Sequence, residues 1–194
     1  MSVFPGRGPR IALAIGGLLL LQGVALLGHR ALEDRRSRAV AAFRFERIEA
    51  VMPAPELVLE RPDGARVAIA PGREGEAMLV HFWATWCPPC RQELPALLAL
   101  GRRLSPTGRV RVVAIATDTS WSEIRRFFKG AIPAEVLRDA TGRVHQAFRV
   151  SSLPDTYLVT ADGLIRIRFA GAQDWGSKQA HEFLSRELTE LIHS

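Results

Sequence analysis

The 194-residue sequence contains only two cysteines, and both lie in the motif Cys87-Pro88-Pro89-Cys90. Two cysteines cannot form the disulfide framework that holds many small secreted domains together. Because both belong to one Cys-x-x-Cys motif, they indicate thiols used for chemistry rather than for cross-linking. The length allows one ordinary domain plus an appendage, and the hydrophobic residues, at 47% of the chain, are enough for a core.

Lysine is also scarce, since Lys129 and Lys178 are the only lysines among 26 basic residues. The net charge of +6 raises the question of nucleic-acid binding. However, the arginines are scattered, and neither a basic stripe interleaved with aromatic residues nor a nucleic-acid motif accompanies them. We therefore predict a basic surface and no nucleic-acid partner.

Charged residues are absent from the apolar run at residues 11–27, which follows Arg7 and Arg10. A run of this length suits a short or tilted membrane span, or a signal peptide. Neither a small-x-small cleavage pattern nor a cysteine for lipid attachment closes it, which favours an uncleaved anchor. The predicted organisation is an anchor in residues 1–29, a linker or stalk in residues 30–52 and a folded domain in residues 53–194.

The predicted domain alternates between apolar strands and amphipathic helices. Hairpin turns are indicated at Arg61-Pro62-Asp63-Gly64 and at Ala161-Asp162-Gly163. Near-continuous apolar runs at residues 78–83 and 110–117 are typical of buried central strands. Helices are predicted over residues 90–104, 120–129, 142–148 and 178–192, the last with Phe183, Leu184, Leu188 and Leu191 on one side. This order predicts an α/β fold, with a mixed central sheet flanked by helices and an N-terminal hairpin.

A Cys-x-x-Cys pair that follows a strand and begins a helix is the arrangement of a thiol–disulfide redox site. Cys87, at the helix N-terminus, is the predicted nucleophile because the positive end of the helix dipole favours a thiolate. Cys90 would then attack Cys87 and release the reduced substrate. Zinc would need two more ligands at suitable spacing, and haem attachment would need histidine in place of Arg91. We predict no metal and no cofactor beyond the redox-active disulfide.

Four stretches resemble the membrane-anchored TlpA/ResA-type thiol–disulfide oxidoreductases of the thioredoxin superfamily. They are Ala54-Pro55-Glu56-Leu57, the signature Val80-His81-Phe82-Trp83-Ala84-Thr85-Trp86-Cys87-Pro88-Pro89-Cys90, Leu153-Pro154-Asp155-Thr156, and Ala161-Asp162-Gly163-Leu164-Ile165. The resemblance covers residues 53–194 and implies a thioredoxin-like fold and a periplasmic catalytic domain. It also implies reduction of disulfides in client proteins, in systems such as cytochrome c maturation or copper-site assembly, with electrons from a membrane thiol donor.

The charges that flank the apolar run favour the opposite orientation. More arginines follow the run than precede it, and the positive-inside rule would place the domain in the cytoplasm. We follow the resemblance and predict an extracytoplasmic domain.

The resemblance also assigns residues that shape the site. Pro154, preceded by Leu153, corresponds to the family's cis-proline. In the family this proline faces the cysteines and leaves a neighbouring backbone group free to pair with substrate. The alternative is an ordinary trans-proline. Trp86 would supply an apolar surface beside Cys87, or simply pack in the core. Pro88 and Pro89 restrict the loop between the cysteines and remove backbone N–H donors.

Two residues are candidates for proton transfer. Glu93 matches a glutamate found in many family members; the alternative is a solvated glutamate in the first helical turn. His81 departs from the family, because thioredoxins have aspartate and TlpA-type sequences often have asparagine at this position. A buried neutral imidazole could accept and return the Cys90 proton, or could be a core histidine with one hydrogen bond. Asp155 is interpreted as a turn residue or part of a polar rim.

Other functions use the same cysteine pair. Net oxidation of client thiols is the reverse reaction, and a reduced Cys-x-x-Cys can hold Cu(I) as a copper chaperone does. No Met/His-rich stretch accompanies the pair, so we rank copper binding below redox catalysis. A peroxidase would need a separate peroxidatic cysteine before the motif, which the sequence lacks.

Overall fold

The computed structural model describes residues 22–23, 43–72, 76–104 and 110–192. The chain divides into two units, Met1–Ala41 and Ala42–Ser194. In the first unit Gln22 and Gly23 are described, as helix, and the rest of the predicted anchor lies outside the described residues. No helix in the described part of the chain is both long enough and apolar enough to cross a membrane.

The described residues of the second unit form one sheet of eight strands and four helices. Its strands are β1 (Glu46–Arg47), β2 (Leu57–Glu60), β3 (Arg66–Ile69), β4 (Ala77–Trp83), β5 (Val110–Ala116), β6 (Val136–Arg138), β7 (Asp155–Val159) and β8 (Ile165–Ala170). Its helices are α1 (Pro88–Leu104), α2 (Trp121–Phe128), α3 (Arg143–Ala147) and α4 (Lys178–Ile192). The predicted central strands, both hairpins and all four predicted helices are present.

The strand order is β1-β8-β7-β4-β5-β6-β2-β3. Strand β4 lies parallel to β5 and antiparallel to β7, so the sheet is mixed as predicted. All seven residues of β4 are buried, because helices and loops cover both faces of this central strand. The register places His81 of β4 beside Thr156 of β7 and Ala114 of β5.

Alternate residues of β4 point to opposite faces of the sheet and belong to two apolar clusters. Leu79 and Trp83 join the first cluster, which also contains buried residues of α1, α2 and α4 and both cysteines. Val80 and Phe82 join the second, which contains residues of β2 and the α3 region. The face that carries the helix with the cysteines is therefore distinct from the face that packs against the α3 region.

The folded unit includes residues that we had assigned to the linker. Phe43 is buried, and its ring centroid lies 5.4 Å from Phe169, 5.7 Å from Trp175 and 5.4 Å from Phe183. Strand β1 pairs antiparallel with β8, with Glu46 opposite Arg168. The stretch at residues 43–52 therefore contributes a strand and a core aromatic residue instead of a simple stalk.

Helix α1 packs very closely on strand β5 at Gly101. A Cβ atom at this position would lie 2.3 Å from Cγ2 of Val112, so a larger residue would push the helix away from the sheet. The helix continues through Pro95 up to Leu104. Close packing of α1 against the sheet fixes the position of its N-terminal end, where the cysteines lie.

Candidate active site

Cys87 and Cys90 form a disulfide at the start of α1, with an S–S distance of 2.02 Å. Cys87 directly precedes the first helical residue, and its backbone N–H donates to the Ala84 carbonyl at 3.2 Å. The Cys90 N–H donates to Sγ of Cys87 at 3.4 Å. This backbone donor faces the sulfur that would carry the negative charge of a thiolate, so the local structure suits Cys87 as nucleophile.

The surface around the disulfide is partly apolar. Trp86 is 68% exposed although its ring is large and apolar, so the alternative of packing in the core is wrong. Pro88 and Pro89 are exposed, whereas Cys87 and Cys90 are buried. An incoming disulfide would therefore meet Trp86 and the two prolines before it reaches the sulfur atoms.

Asp118 holds the loop before the cysteines, a role that we did not predict. Its carboxylate accepts hydrogen bonds from the Thr85 backbone N–H, at 3.1 Å, and from the Thr85 hydroxyl. Asp118 is buried and follows the end of the parallel strand β5. An aspartate just beyond the carboxyl end of a buried strand is the sequence signal that could have identified it.

Pro154 lies at the end of the sheet where β4 leads into the cysteine motif. The Leu153–Pro154 peptide is cis, as the resemblance implied. Strand β7 begins at Asp155, which lies opposite Phe82 in the pairing of β7 with β4. Pro154, the residue before Asp155, therefore lies near the end of β4. Leu153 packs against both apolar clusters, and the Pro154 carbonyl accepts a hydrogen bond from the Gly171 N–H.

Glu93 is buried, so the alternative of a solvated glutamate is wrong. Oε2 of Glu93 accepts a hydrogen bond of 2.6 Å from the Gln173 backbone N–H, whereas Oε1 is buried without a hydrogen-bond partner among the described residues. Burial raises the pKa of the Glu93 carboxyl to about 7, and the interactions with the Gln173 backbone N–H and the Trp175 side chain oppose this rise. A carboxyl group with such a pKa can both take up and release a proton near neutral pH.

His81 lies beside Glu93, fully buried within the sheet. Its Nδ1 is 2.9 Å from Oγ1 of Thr156 and 3.7 Å from Oε1 of Glu93. Its Nε2 has no hydrogen-bond partner in the described part of the chain. Desolvation lowers the pKa of His81 to about 3, so the imidazole is neutral at physiological pH. The contacts of Nδ1 are therefore compatible with both interpretations of His81, as a core histidine with one hydrogen bond and as a proton carrier.

The predictions for Asp155 were wrong. It is neither a turn residue nor part of an exposed rim, because it is the first residue of β7 and is fully buried. Its carboxylate accepts hydrogen bonds from Nε and Nη2 of Arg168, at 3.0 Å and 2.8 Å, and from the Tyr157 hydroxyl at 2.8 Å. Asp155 therefore belongs to a buried ion pair.

No group of three or more His, Cys, Asp or Glu side chains suited to a metal ion occurs within the described residues.

A model of the AhpC/TSA protein family matches residues 51–168, which is more than half of the chain. The chain belongs to the AhpC/TSA family. Two named relatives are similar to this chain over more than half of its length. The thiol–disulfide oxidoreductase ResA of Bacillus subtilis (strain 168) is 31% identical over 113 residues, covering 58% of this chain and 62% of ResA. The thioredoxin-like protein YneN of the same strain is 28% identical over 156 residues, covering 78% of this chain and 86% of YneN.

A solved structure shows the same fold. The crystal structure of a thiol:disulfide interchange protein of the thioredoxin family from Chlorobium tepidum TLS superposes with a TM-score of 0.57. The two are 23% identical, and the superposition covers 73% of this chain and 99% of the other. The predicted thioredoxin-like α/β fold is therefore confirmed. The predicted enzyme class, thiol–disulfide oxidoreductase, is confirmed by the named relatives together with the Cys87–Cys90 pair in this fold.

Proposed function

We propose that this protein is a thiol–disulfide reductase that reduces disulfides of client proteins through the Cys87/Cys90 dithiol. The observation that carries the proposal is the position of the pair: Cys87 lies at the N-terminus of α1, with the Cys90 N–H directed at its sulfur. Trp86, Pro88, Pro89, Leu153 and Pro154 would form the surface that receives the client.

The reaction transfers two electrons to the client. In the reduced protein, the Cys87 thiolate attacks a client disulfide, forming a mixed disulfide and releasing one client thiolate. Cys90 then loses its proton and attacks Sγ of Cys87, which forms the Cys87–Cys90 disulfide and releases the second client thiolate. Both client thiolates take up protons. A dithiol donor must then reduce the Cys87–Cys90 disulfide by the same exchange for a new cycle.

Glu93 is the base that we propose for the Cys90 proton. Its pKa of about 7 means that ionised and protonated forms are both populated at neutral pH. His81 contacts both Glu93 and Thr156, and its neutral ring would position the Glu93 carboxyl or relay the proton. In either role His81 acts on the second step, in which Cys90 must be deprotonated, more than on the first.

The cellular setting follows from the resemblance and from the apolar run at residues 11–27. We propose an N-terminal membrane anchor, a periplasmic catalytic domain and a membrane thiol protein as electron donor. Clients of the cytochrome c maturation or copper-site assembly type fit a reductase in that compartment. A reporter fused to the C-terminus tests the orientation, because reporter activity in the cytoplasm would contradict it.

The reduction potential of the Cys87–Cys90 disulfide tests the direction of electron flow. A reductase should have a potential near the thioredoxin value of about −270 mV, and a value near the oxidase DsbA, about −120 mV, would instead support client oxidation. The measurement equilibrates the protein with defined ratios of reduced and oxidised dithiothreitol or glutathione. A Cys87→Ser variant serves as control, because it cannot form the disulfide.

A further inference from the structure

An open cleft of about 330 Å³ lies next to the active site. Its lining residues are Thr85, Arg91, Glu123, Arg126 and Phe127. Thr85 stands two positions before Cys87, and the Arg91 backbone N–H donates to the Cys87 carbonyl at 3.2 Å. The cleft therefore begins on the same two chain segments that hold the disulfide, and a client bound at Cys87 would pass across it.

Two arginine side chains give this cleft a positive charge. Arg91 and Arg126 are both exposed, and the Arg91 guanidinium stacks over the Phe127 ring at 5.7 Å from its centroid. Nε of Arg126 donates to the Ser122 carbonyl at 3.3 Å. Among the described residues neither guanidinium has a carboxylate at salt-bridge distance.

The carboxylates near the cleft are already used by other groups. Asp118 accepts the hydrogen bonds of Thr85 described above. Glu123, which lines the cleft, accepts hydrogen bonds through Oε2 from the Ser120 backbone N–H at 3.2 Å and from the Thr119 hydroxyl at 3.3 Å. Glu123 thus serves in the capping box of α2, and the two guanidinium groups keep donors for an outside ligand.

Arg125, which is also on α2, directs its guanidinium away from the cleft. Its Nη2 donates to the Pro62 carbonyl at 2.7 Å, so its charge is directed to the β2–β3 hairpin. Arg126, the next residue, lines the cleft instead. The positive charge at the cleft is therefore local and not simply a consequence of the basic composition.

We propose that this cleft binds a carboxylate side chain of the client protein, so that preferred clients carry acidic residues beside the disulfide that is reduced. A guanidinium group presents N–H donors in a planar fork that matches a carboxylate. Trp86 follows Thr85, which lines the cleft, and its exposed ring would be buried against the client at the same time. Trp and Arg are among the residues that most often dominate binding at interfaces. This inference rests on the proposed function.

The test uses three peptides with the same intramolecular disulfide, flanked by Asp, Asn or Lys. Stopped-flow fluorescence measures the second-order rate constant for each peptide with the reduced full-length protein, at low and at high ionic strength. We expect the Asp peptide to react about fivefold faster than the Asn peptide at low salt, the Lys peptide to react more slowly than both, and high salt to reduce these ratios.

The matched variants are Arg126→Glu and Arg103→Glu, which change the net charge equally. Arg103 is exposed near the C-terminal end of α1, about 18 Å along the helix from Arg91. We expect Arg126→Glu to lower the Asp-to-Asn rate ratio to one or less and Arg103→Glu to leave that ratio as in the wild type. Equal rates for the three peptides, or an equal loss of the ratio in both variants, would overturn the inference while leaving the reductase intact.

A binding measurement separates the two proposals. The peptides are made with serine in place of cysteine, and their affinity for the oxidised full-length protein is measured by fluorescence anisotropy. Salt-sensitive preference for the Asp peptide, lost in Arg126→Glu, supports the cleft even if no peptide disulfide is reduced. Failure of reduction with this binding preserved would contradict the proposed function alone, and equal binding of all peptides would contradict the cleft.

Discussion

Glu93 and Asp155 are both buried carboxyl groups, but they differ in how they are paired. The Asp155 carboxylate accepts three hydrogen bonds from the Arg168 guanidinium and a fourth from the Tyr157 hydroxyl. Glu93 has one backbone hydrogen bond, and its second oxygen faces a neutral imidazole at 3.7 Å. Tyr157 belongs to the apolar cluster that includes the α3 region, whereas Glu93 lies in the helix that carries the cysteines.

This difference in pairing distinguishes a carboxylate with a structural role from a carboxyl group that can take part in proton transfer. A carboxylate with a paired cation stays charged and holds its neighbours in place. A desolvated carboxyl without a cation exchanges its proton near neutral pH, a property expected at active sites. The same functional group, a carboxyl at similar depth, therefore serves different purposes at these two positions.

Removing the cation from Asp155 should give the largest loss of stability. In Arg168→Met the buried carboxylate keeps only the Tyr157 hydroxyl, and we expect the free energy of unfolding to fall by about 3 kcal/mol. Arg166→Met is the matched control on the same strand, since its pair with Asp162 is exposed and should contribute less than about 0.5 kcal/mol. Urea unfolding of the oxidised proteins measures both values, and equal losses would contradict the structural role of Asp155.

Glu93→Gln should have a smaller effect on stability and a specific effect on rate. Glutamine retains an acceptor for the Gln173 N–H but cannot take up the Cys90 proton. We expect the second step, resolution of the mixed disulfide, to slow by about 10- to 100-fold at neutral pH. Single-turnover stopped-flow measures both steps, with Glu135→Gln as control because Glu135 is exposed to solvent in part and pairs with Arg102.

The stability of Glu93→Gln should also depend on pH in a predictable direction. Because the folded-state pKa of Glu93 is raised from 4.5 to about 7, the folded protein holds this proton more tightly than the unfolded chain does. Wild-type stability therefore falls as pH rises through this window. The variant does not lose stability in this way, because glutamine has no proton to release. We expect the variant to gain on the order of 2 kcal/mol relative to wild type between about pH 5 and about pH 8. If the difference in unfolding free energy between the variant and the wild type did not change with pH, the pKa of Glu93 would lie in its ordinary range.

His81 contributes to stability over a lower, partly overlapping pH range and with the opposite sign. Its lowered pKa means that the unfolded chain binds a proton more readily, so His81 makes stability rise with pH between about 3 and 6.5. Wild type and Glu93→Gln share this contribution, and their difference in unfolding free energy isolates Glu93.

His81→Ala should give the smallest and most selective effect. We expect resolution of the mixed disulfide to slow by about three- to tenfold, with a smaller change in its formation, because Cys90 is deprotonated only in the second step. Thr156→Val is the control, since it removes the hydroxyl that contacts Nδ1 and preserves the imidazole. Equal slowing of both steps in stopped-flow would indicate that His81 acts by packing alone.

Local patterns in the sequence account for much of the fold and for the centre of the site. The Cys-x-x-Cys motif, the apolar strands and the hairpin turns each depend on residues close together in the chain. The burial of Glu93 could not be predicted in this way, because it depends on Gln173, far along the chain. Asp155 was misinterpreted for the same reason, since its partner Arg168 lies on the next strand.

The antiparallel pairing of β1 with β8 has a consequence for the order of folding. Glu46 pairs with Arg168, and almost the whole domain lies between them. Closing so long a loop is entropically costly until the intervening strands have formed. During synthesis the residues of β1 leave the ribosome first but must remain without their partner until β8 has followed. Strand β1 and Phe43 should therefore dock last, on an already assembled sheet.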